Sequence, residues 1–271
     1  MRASTGRGDG VGWLGPATTA ARLGARRAAS EPGGLVFAAV FYLMVTAVLA
    51  GMWRTAAEAG GGGGIVGYSA VALVWYIAAS EAAVLALPQR LIEDVGIEID
   101  DGLEAELLRP TPLIVVRLAA EVGRMLPRLG VCLAVGVVLA RIIGGPIPDP
   151  VALTIAVPSL LLAATVNLAA QYAFAGAAFW LRDVRSAWFL YQKLVFVLGG
   201  MLLPLEVLPR WLELTAKALP FAAMAYAPAR LASGSVEPEL LAIQVGWLAL
   251  AVAGALAVYR AGERRQIRTG A

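Results

Sequence analysis

The sequence predicts an all-α membrane protein that crosses a bilayer about six times and keeps both ends on one side. Three observations carry this. Hydrophobic residues make up 59% of the 271, and mean hydropathy is +0.75, more apolar surface than a soluble domain of ordinary composition hides. Charged residues are only 15%, are absent from several long apolar runs and concentrate between them. Lysine and arginine are also biased: 17 of the 22 lie on one side of a six-span arrangement and 5 on the other. By the positive-inside rule the richer side is cytoplasmic.

The elements follow in order. Residues 1–33 are polar and carry Arg2, Arg7, Arg22, Arg26 and Arg27. The first apolar run begins too late and runs too long for a cleaved signal peptide. Ala17–Ser30 reads as a basic amphipathic helix on the cytoplasmic surface, with a disordered tail as the alternative. The spans are Gly34–Trp53, Ile65–Leu87, Leu129–Ile143, Val151–Phe179, Trp188–Leu203 and Leu240–Tyr259, and a glycine turn at 60–64 joins the first two. Pro88–Pro110 holds Glu93, Asp94, Glu98 and further carboxylates interleaved with Leu91, Ile92, Val95 and Ile97. That spacing predicts one or two short amphipathic helices broken near Gly96 and Gly102. Thr111–Arg128 reads as a surface helix leading into the third span. Pro204–Pro238 is a proline- and leucine-rich hairpin between the fifth and sixth spans. The chain thus divides into a basic segment 1–33, a permease-like region 34–260 and a basic tail 261–271.

Enzymatic motifs fail. There is no histidine, so a Ser-His-Asp triad is impossible and the commonest metal ligand is missing. Cys132 has no partner for a disulfide and reads as a small buried residue. Gly62-x-x-x-x-Gly67 resembles a phosphate loop only until Tyr68 stands where the lysine should be. No catalytic residue, bound cofactor or metal site is expected, and the small net charge of +3 gives no case for nucleic acid. Among the polar groups inside spans, three stand out. Glu81 is costly if it faces lipid, so it has either a structural or a transport role. Asn167 and Gln171 share a helix face at i,i+4 and either bond between helices or line a substrate path.

Two blocks resemble a known family. One is Ile97-Glu98-Ile99-Asp100-Asp101-Gly102-Leu103-Glu104-Ala105-Glu106-Leu107-Leu108-Arg109-Pro110. The other is Leu202-Leu203-Pro204-Leu205-Glu206-Val207-Leu208-Pro209-Arg210-Trp211-Leu212, followed by Leu219-Pro220-Phe221 and Tyr226-Ala227-Pro228. Together, at these places in a six-span chain, they resemble the ABC-2 type exporter permeases. One departure is the longer acidic stretch at Asp100 and Asp101.

The resemblance implies a permease subunit that pairs with a second permease and is driven by a separate ATP-binding subunit, which holds the ATP and magnesium. The loop after the second span would be the coupling element, with Leu91, Ile92 and Val95 entering a groove on the ATPase and Glu93, Asp94, Ile97 and Glu98 beside them. Pro204, Glu206, Pro209 and Trp211 would belong to a re-entrant or outer hairpin. The implied cargo is hydrophobic or amphipathic, exported across a bacterial inner membrane, with membrane lipid as a further partner. The competing readings are a stand-alone secondary transporter or channel, and a membrane-embedded enzyme or assembly scaffold. Charge concentrated in loops argues against the former, and the lack of histidine and of paired intramembrane carboxylates argues against the enzyme.

Overall fold

A computed structural model describes residues 14–59, 64–88, 91–100, 113–180 and 185–269. It is helical, and the described residues contain no strand, only an isolated bridge between Ile65 and Tyr68. In chain order the helices are α1 (Leu14–Ala29), α2 (Pro32–Ala59), α3 (Ala70–Leu85), α4 (Leu91–Asp100), α5 (Leu113–Ile143), α6 (Pro150–Ala175), α7 (Arg185–Leu198), α8 (Arg210–Lys217), α9 (Pro220–Met224), α10 (Tyr226–Ala232) and α11 (Glu239–Thr269).

Among the described residues four helices are long and apolar enough to cross a membrane: α2, α5, α6 with the 3-10 turn Gly176–Phe179, and α11. At 1.5 Å per residue the 28 residues of α2 extend about 42 Å, more than the ~30 Å hydrocarbon core. Their outward faces are apolar: Phe37, Val40 and Val48 on α2, Val138 and Ile142 on α5, Val151 on α6 and Leu250 on α11 are all exposed. Apolar side chains exposed in this number suit lipid and not water. Two apolar helices are shorter, α3 and the Trp188–Leu198 part of α7.

α3 is the hub. Every residue from Ala72 to Ala83 is buried. Helices α2, α5, α6 and α10 all pack on it. Its 16 residues reach only about 24 Å, which suits a helix surrounded by protein. Ser69 caps its start, accepting from the Ala72 amide at 3.1 Å. The second apolar run therefore turns helical five residues later than Ile65, because Ile65–Tyr68 closes a tight turn with Gly67 at φ +83°.

Other boundaries also differ from the sequence reading. α4 runs through Gly96 without a break, since a single glycine in a short packed helix costs only about 1 kcal/mol. A second helix near Gly102 would fall outside the described residues. The helix at Thr111–Arg128 does continue into the third span as expected, starting at Leu113, the two forming the single 31-residue helix α5. α7 stops at Leu198 and not at Leu203. Gly200 has φ +68°, and a Cβ there would meet the Tyr76 hydroxyl and Leu205. The Gly200 carbonyl instead accepts from Tyr76 at 2.6 Å, and the Met201 carbonyl accepts from Ser80 at 3.0 Å. α11 continues about ten residues past Tyr259, so much of the basic tail is helical.

Contacts sort the elements into two ends. At one end lie α1, α4, the first half of α5, the Gly176–Phe179 turn and the last third of α11. There Phe179 meets Tyr259 edge-on at 5.6 Å, and α4 packs on α6 and the 3-10 turn. At the other end the Trp75 indole donates to the Pro146 carbonyl at 3.2 Å, and Arg230 pairs with Glu237 at 3.0 Å. The start of α6 is held there by Asp149, whose Oδ1 accepts from the Val151 and Ala152 amides at 2.7 and 3.0 Å.

Candidate functional site

Three features stand out, one at each end and one between. The first is α4. Its 10-residue amphipathic pattern puts Leu91, Ile92 and Val95 on one face, and all three are buried within this chain. They join a core with Tyr172, Ala175, Phe179 and Tyr191. The apolar edge expected to enter a groove on a partner is packed, in this chain, against its own helices. The reason is that an apolar stripe beside its own helices buries at no translational cost. What α4 presents outward is Asp94 and Ile97, with Ile97 59% exposed and Glu93 half-buried beside them. The Glu98 side chain lies outside the described set. Between α4 and α5 runs a charged cleft of about 300 Å³, lined by Asp94, Arg117, Glu121 and Arg124 among others.

The second feature is the polar centre of the bundle. Asn167 and Gln171 are both buried, and the Gln171 amide donates to Asn167 Oδ1 at 3.2 Å. The Tyr191 hydroxyl on α7 donates to the same Oδ1 and lies 3.2 Å from the Asn167 carbonyl. The pair is therefore bonded across to α7. It also lines a cavity of about 220 Å³ between α3, α6 and α7, with Trp188, Lys193, Phe196 and Met201. Gln171 Oε1 has no hydrogen-bond partner among the described residues. Glu81 lies apart from this cavity, fully buried, with both carboxylate oxygens unpartnered among the described residues. A carboxyl group so placed needs a proton or a partner, because an isolated charge there costs several kcal/mol.

The third feature is the hairpin between α7 and α11. Pro204 and Leu205 are buried and start a 3-10 turn that carries Glu206. Glu206 accepts from the Tyr226 hydroxyl, from Lys217 at 3.0 Å and from Tyr68 at 3.2 Å. Burial alone would push its carboxyl up, but the bonds from Tyr226 and Lys217 outweigh it and hold it below the ordinary range. Lys217 also bonds Glu213 at 2.8 Å, and with Arg210 it holds Glu213 low as well. Lys217 lies 5.0 Å from the Tyr226 ring centroid and Arg230 5.1 Å from that of Tyr68. Pro209 precedes α8 directly. Trp211 is 70% exposed and adds no contact to this network; its ring faces outward, as an interfacial anchor does.

Some positions were not singled out from sequence. Gln244 on α11 donates to the Ser159 and Ala223 carbonyls at 3.1 and 2.9 Å and accepts from the Ser159 hydroxyl at 2.9 Å. This knot ties α9 to α6 and α11. A glutamine inside an apolar run was the available signal. Gly24 and Gly123 form the α1–α5 crossing, signalled by small residues at Ala20, Gly24 and Ala28.

A helical bundle with exposed apolar faces, buried polar groups at its centre and charged clefts at one end is a multi-pass membrane protein. The chain belongs to the ABC-2 transporter family: the family model described as "ABC-2 family transporter protein" matches residues 39–270, nearly the whole chain, and identifies an ABC-2 type permease. No curated protein matches it.

Proposed function

We propose that this chain is the membrane subunit of an ABC exporter, with six spans, both ends in the cytoplasm, a second permease as its dimer partner and a separate ATP-binding subunit as its motor. The observation that carries the reading is the position of α4. In a chain of this family a short charged helix hangs at the end where α1 and the last part of α11 also gather, beside the cleft holding Asp94, Arg117, Glu121 and Arg124. The lysine and arginine bias makes that end cytoplasmic. The rim of α4, with Glu93, Asp94 and Ile97, docks the ATPase. Its buried face, Leu91, Ile92 and Val95, transmits the motion directly into α6 and α7.

Six crossings follow if α3 and α7 complete the four long spans. α3 falls short of the core thickness, but protein surrounds it, so no backbone meets lipid. α9 and α10 re-enter between α3, α6 and α11, where the Gln244 knot satisfies backbone that lipid would leave bare. The cavity at Asn167 and Gln171 opens beside exposed Phe189, Leu190 and Phe196 of α7, a face suited to the second permease. Its apolar walls and single unpartnered amide oxygen fit an amphipathic cargo that donates one hydrogen bond. No site for ATP, magnesium or nucleic acid is proposed on this chain.

The test is co-expression with an ATP-binding subunit encoded beside it. A stable detergent-resistant complex and ATP-dependent outward movement of an amphipathic dye in proteoliposomes are expected. If the chain purifies alone, captures no ATPase and still moves cargo, the reading fails and a self-contained transporter replaces it.

A further inference from the structure

A second cleft lies at the same end, between α1, the start of α2 and α5, and it is lined differently. Its volume is about 310 Å³, at the small end of the ~300–1,000 Å³ seen for ligand pockets. Arg27 enters from the last turn of α1, and Arg124 and Arg128 from α5, with Glu31, Glu121 and Leu35 completing the wall. Arg124 is committed to Glu121 in an i,i+3 ion pair. Arg27 and Arg128 have no ion pair among the described residues, although Glu31 shares their cleft. The cleft therefore holds a net excess of positive charge, three arginines against two glutamates.

The wall does not close toward the membrane. Gly34 belongs to the cleft, and Phe37 and Phe41, three and seven residues further along the same side of α2, are exposed. A charged recess that continues into a lipid-facing stripe has two halves of different chemistry, one for a phosphate and one for an acyl chain. A soluble anion uses only the first, and a zwitterionic lipid brings an ammonium group that the excess positive charge of the cleft disfavours. Rigid walls hold the recess, because α1 and α5 touch backbone to backbone at Gly24 and Gly123.

We propose that this cleft is a binding site for one anionic phospholipid, its phosphodiester between the Arg27 and Arg128 guanidiniums and its acyl chains along Phe37 and Phe41 of α2. Guanidinium groups bond phosphate oxygens in a forked geometry that ammonium groups do not reproduce. A basic recess between membrane helices is where headgroup recognition is expected. The bound lipid would cement α1 to α2 and α5, and so hold the amphipathic helix flat on the bilayer.

The test uses the full-length chain in neutral detergent, with phosphatidylglycerol or phosphatidylcholine added in mixed micelles. Native mass spectrometry is expected to retain one phosphatidylglycerol per chain and no phosphatidylcholine, and the melting temperature is expected to rise with the anionic lipid only. The double variant Arg27→Ala/Arg128→Ala should weaken retention about tenfold or more. Arg22→Ala, on the same helix but away from the cleft, should leave it unchanged. Arg27→Lys/Arg128→Lys guards against a folding artefact: it should fold and keep part of the binding. Equal retention of both lipids, or full retention by the alanine pair, overturns the proposal. Displacement of the lipid by glycerol phosphate at equal concentration also overturns it, in favour of a soluble-anion site.

Discussion

Gly24 and Gly123 face each other across the α1–α5 crossing, and neither tolerates a side chain. A Cβ on Gly24 would run into the Ala120 carbonyl, and one on Gly123 into the Ala21 carbonyl. The contact is reciprocal, with each glycine seated on the other helix's backbone. Gly24→Val and Gly123→Val should each release α1, at about 1–3 kcal/mol for overpacking. Trypsin should then cut faster at Arg22, Arg26 and Arg27. Gly15→Ala, where a Cβ meets open space, should leave the cleavage rate unchanged or lower it.

The hairpin network should respond to acid. Glu206 and Glu213 are held below the ordinary carboxylate range in the folded state. A depressed carboxyl contributes stability above its unfolded value and loses it as pH falls through the folded value. The melting temperature of the wild type should therefore exceed that of Glu206→Gln at neutral pH, and the gap should close as pH drops below the ordinary carboxylate range. A gap that widens on acidification would contradict the assigned sign.

Gln244 satisfies three groups on two neighbouring elements, so its loss should cost more than one hydrogen bond. Gln244→Leu takes the partner from the Ala223 carbonyl and from the Ser159 hydroxyl, at about 1–3 kcal/mol for each buried group left unpaired. Hydrogen exchange should rise at 220–232 before it rises in α3. Uniform exchange across the chain would show that the knot does not anchor the hairpin.

The two faces of α4 should separate cleanly. Ile92→Asp buries a charge against α6 and should prevent stable insertion, read as loss of monodisperse protein in detergent. Asp94→Lys, on the exposed face, should leave folding intact and abolish capture of the ATP-binding subunit. If Asp94→Lys retains the subunit fully, α4 is not the docking rim.

Glu81 is fully enclosed with neither oxygen bonded among the described residues, so it should weaken the fold it sits in. Glu81→Met keeps the volume and removes the unpaired polar atoms. It should raise stability by about 1 kcal/mol or more, read as a higher melting temperature. If transport falls at the same time, the carboxyl is retained for movement and not for packing.

How much of this was legible depends on the distance over which each signal acts. The apolar runs of α2, α6 and α11 declare themselves within about 20 residues, because a membrane core sets their length. Asn167 and Gln171 were legible as a pair because i,i+4 spacing puts them on one face of α6. Tyr191, which completes that pair, lies 24 residues away on another helix. Glu206 stood out as a charge among leucines and prolines, while Tyr68 is 138 residues from it. Residues 101–112, including much of the acidic stretch, lie outside the described structure.

The sequence by itself determined that this chain is helical, membrane-borne and biased in charge, because composition, run length and arginine placement act locally and against a solvent of known thickness. It also picked out α4 as amphipathic. Only the tertiary structure decided what the apolar stripe of α4 touches, since periodicity shows that a face will be buried but not against which surface. Leu91, Ile92 and Val95 turned inward because α6, brought alongside by the fold of the bundle, covers them within the same chain. Burial there needs no second molecule, and it left the charged rim of α4 facing out.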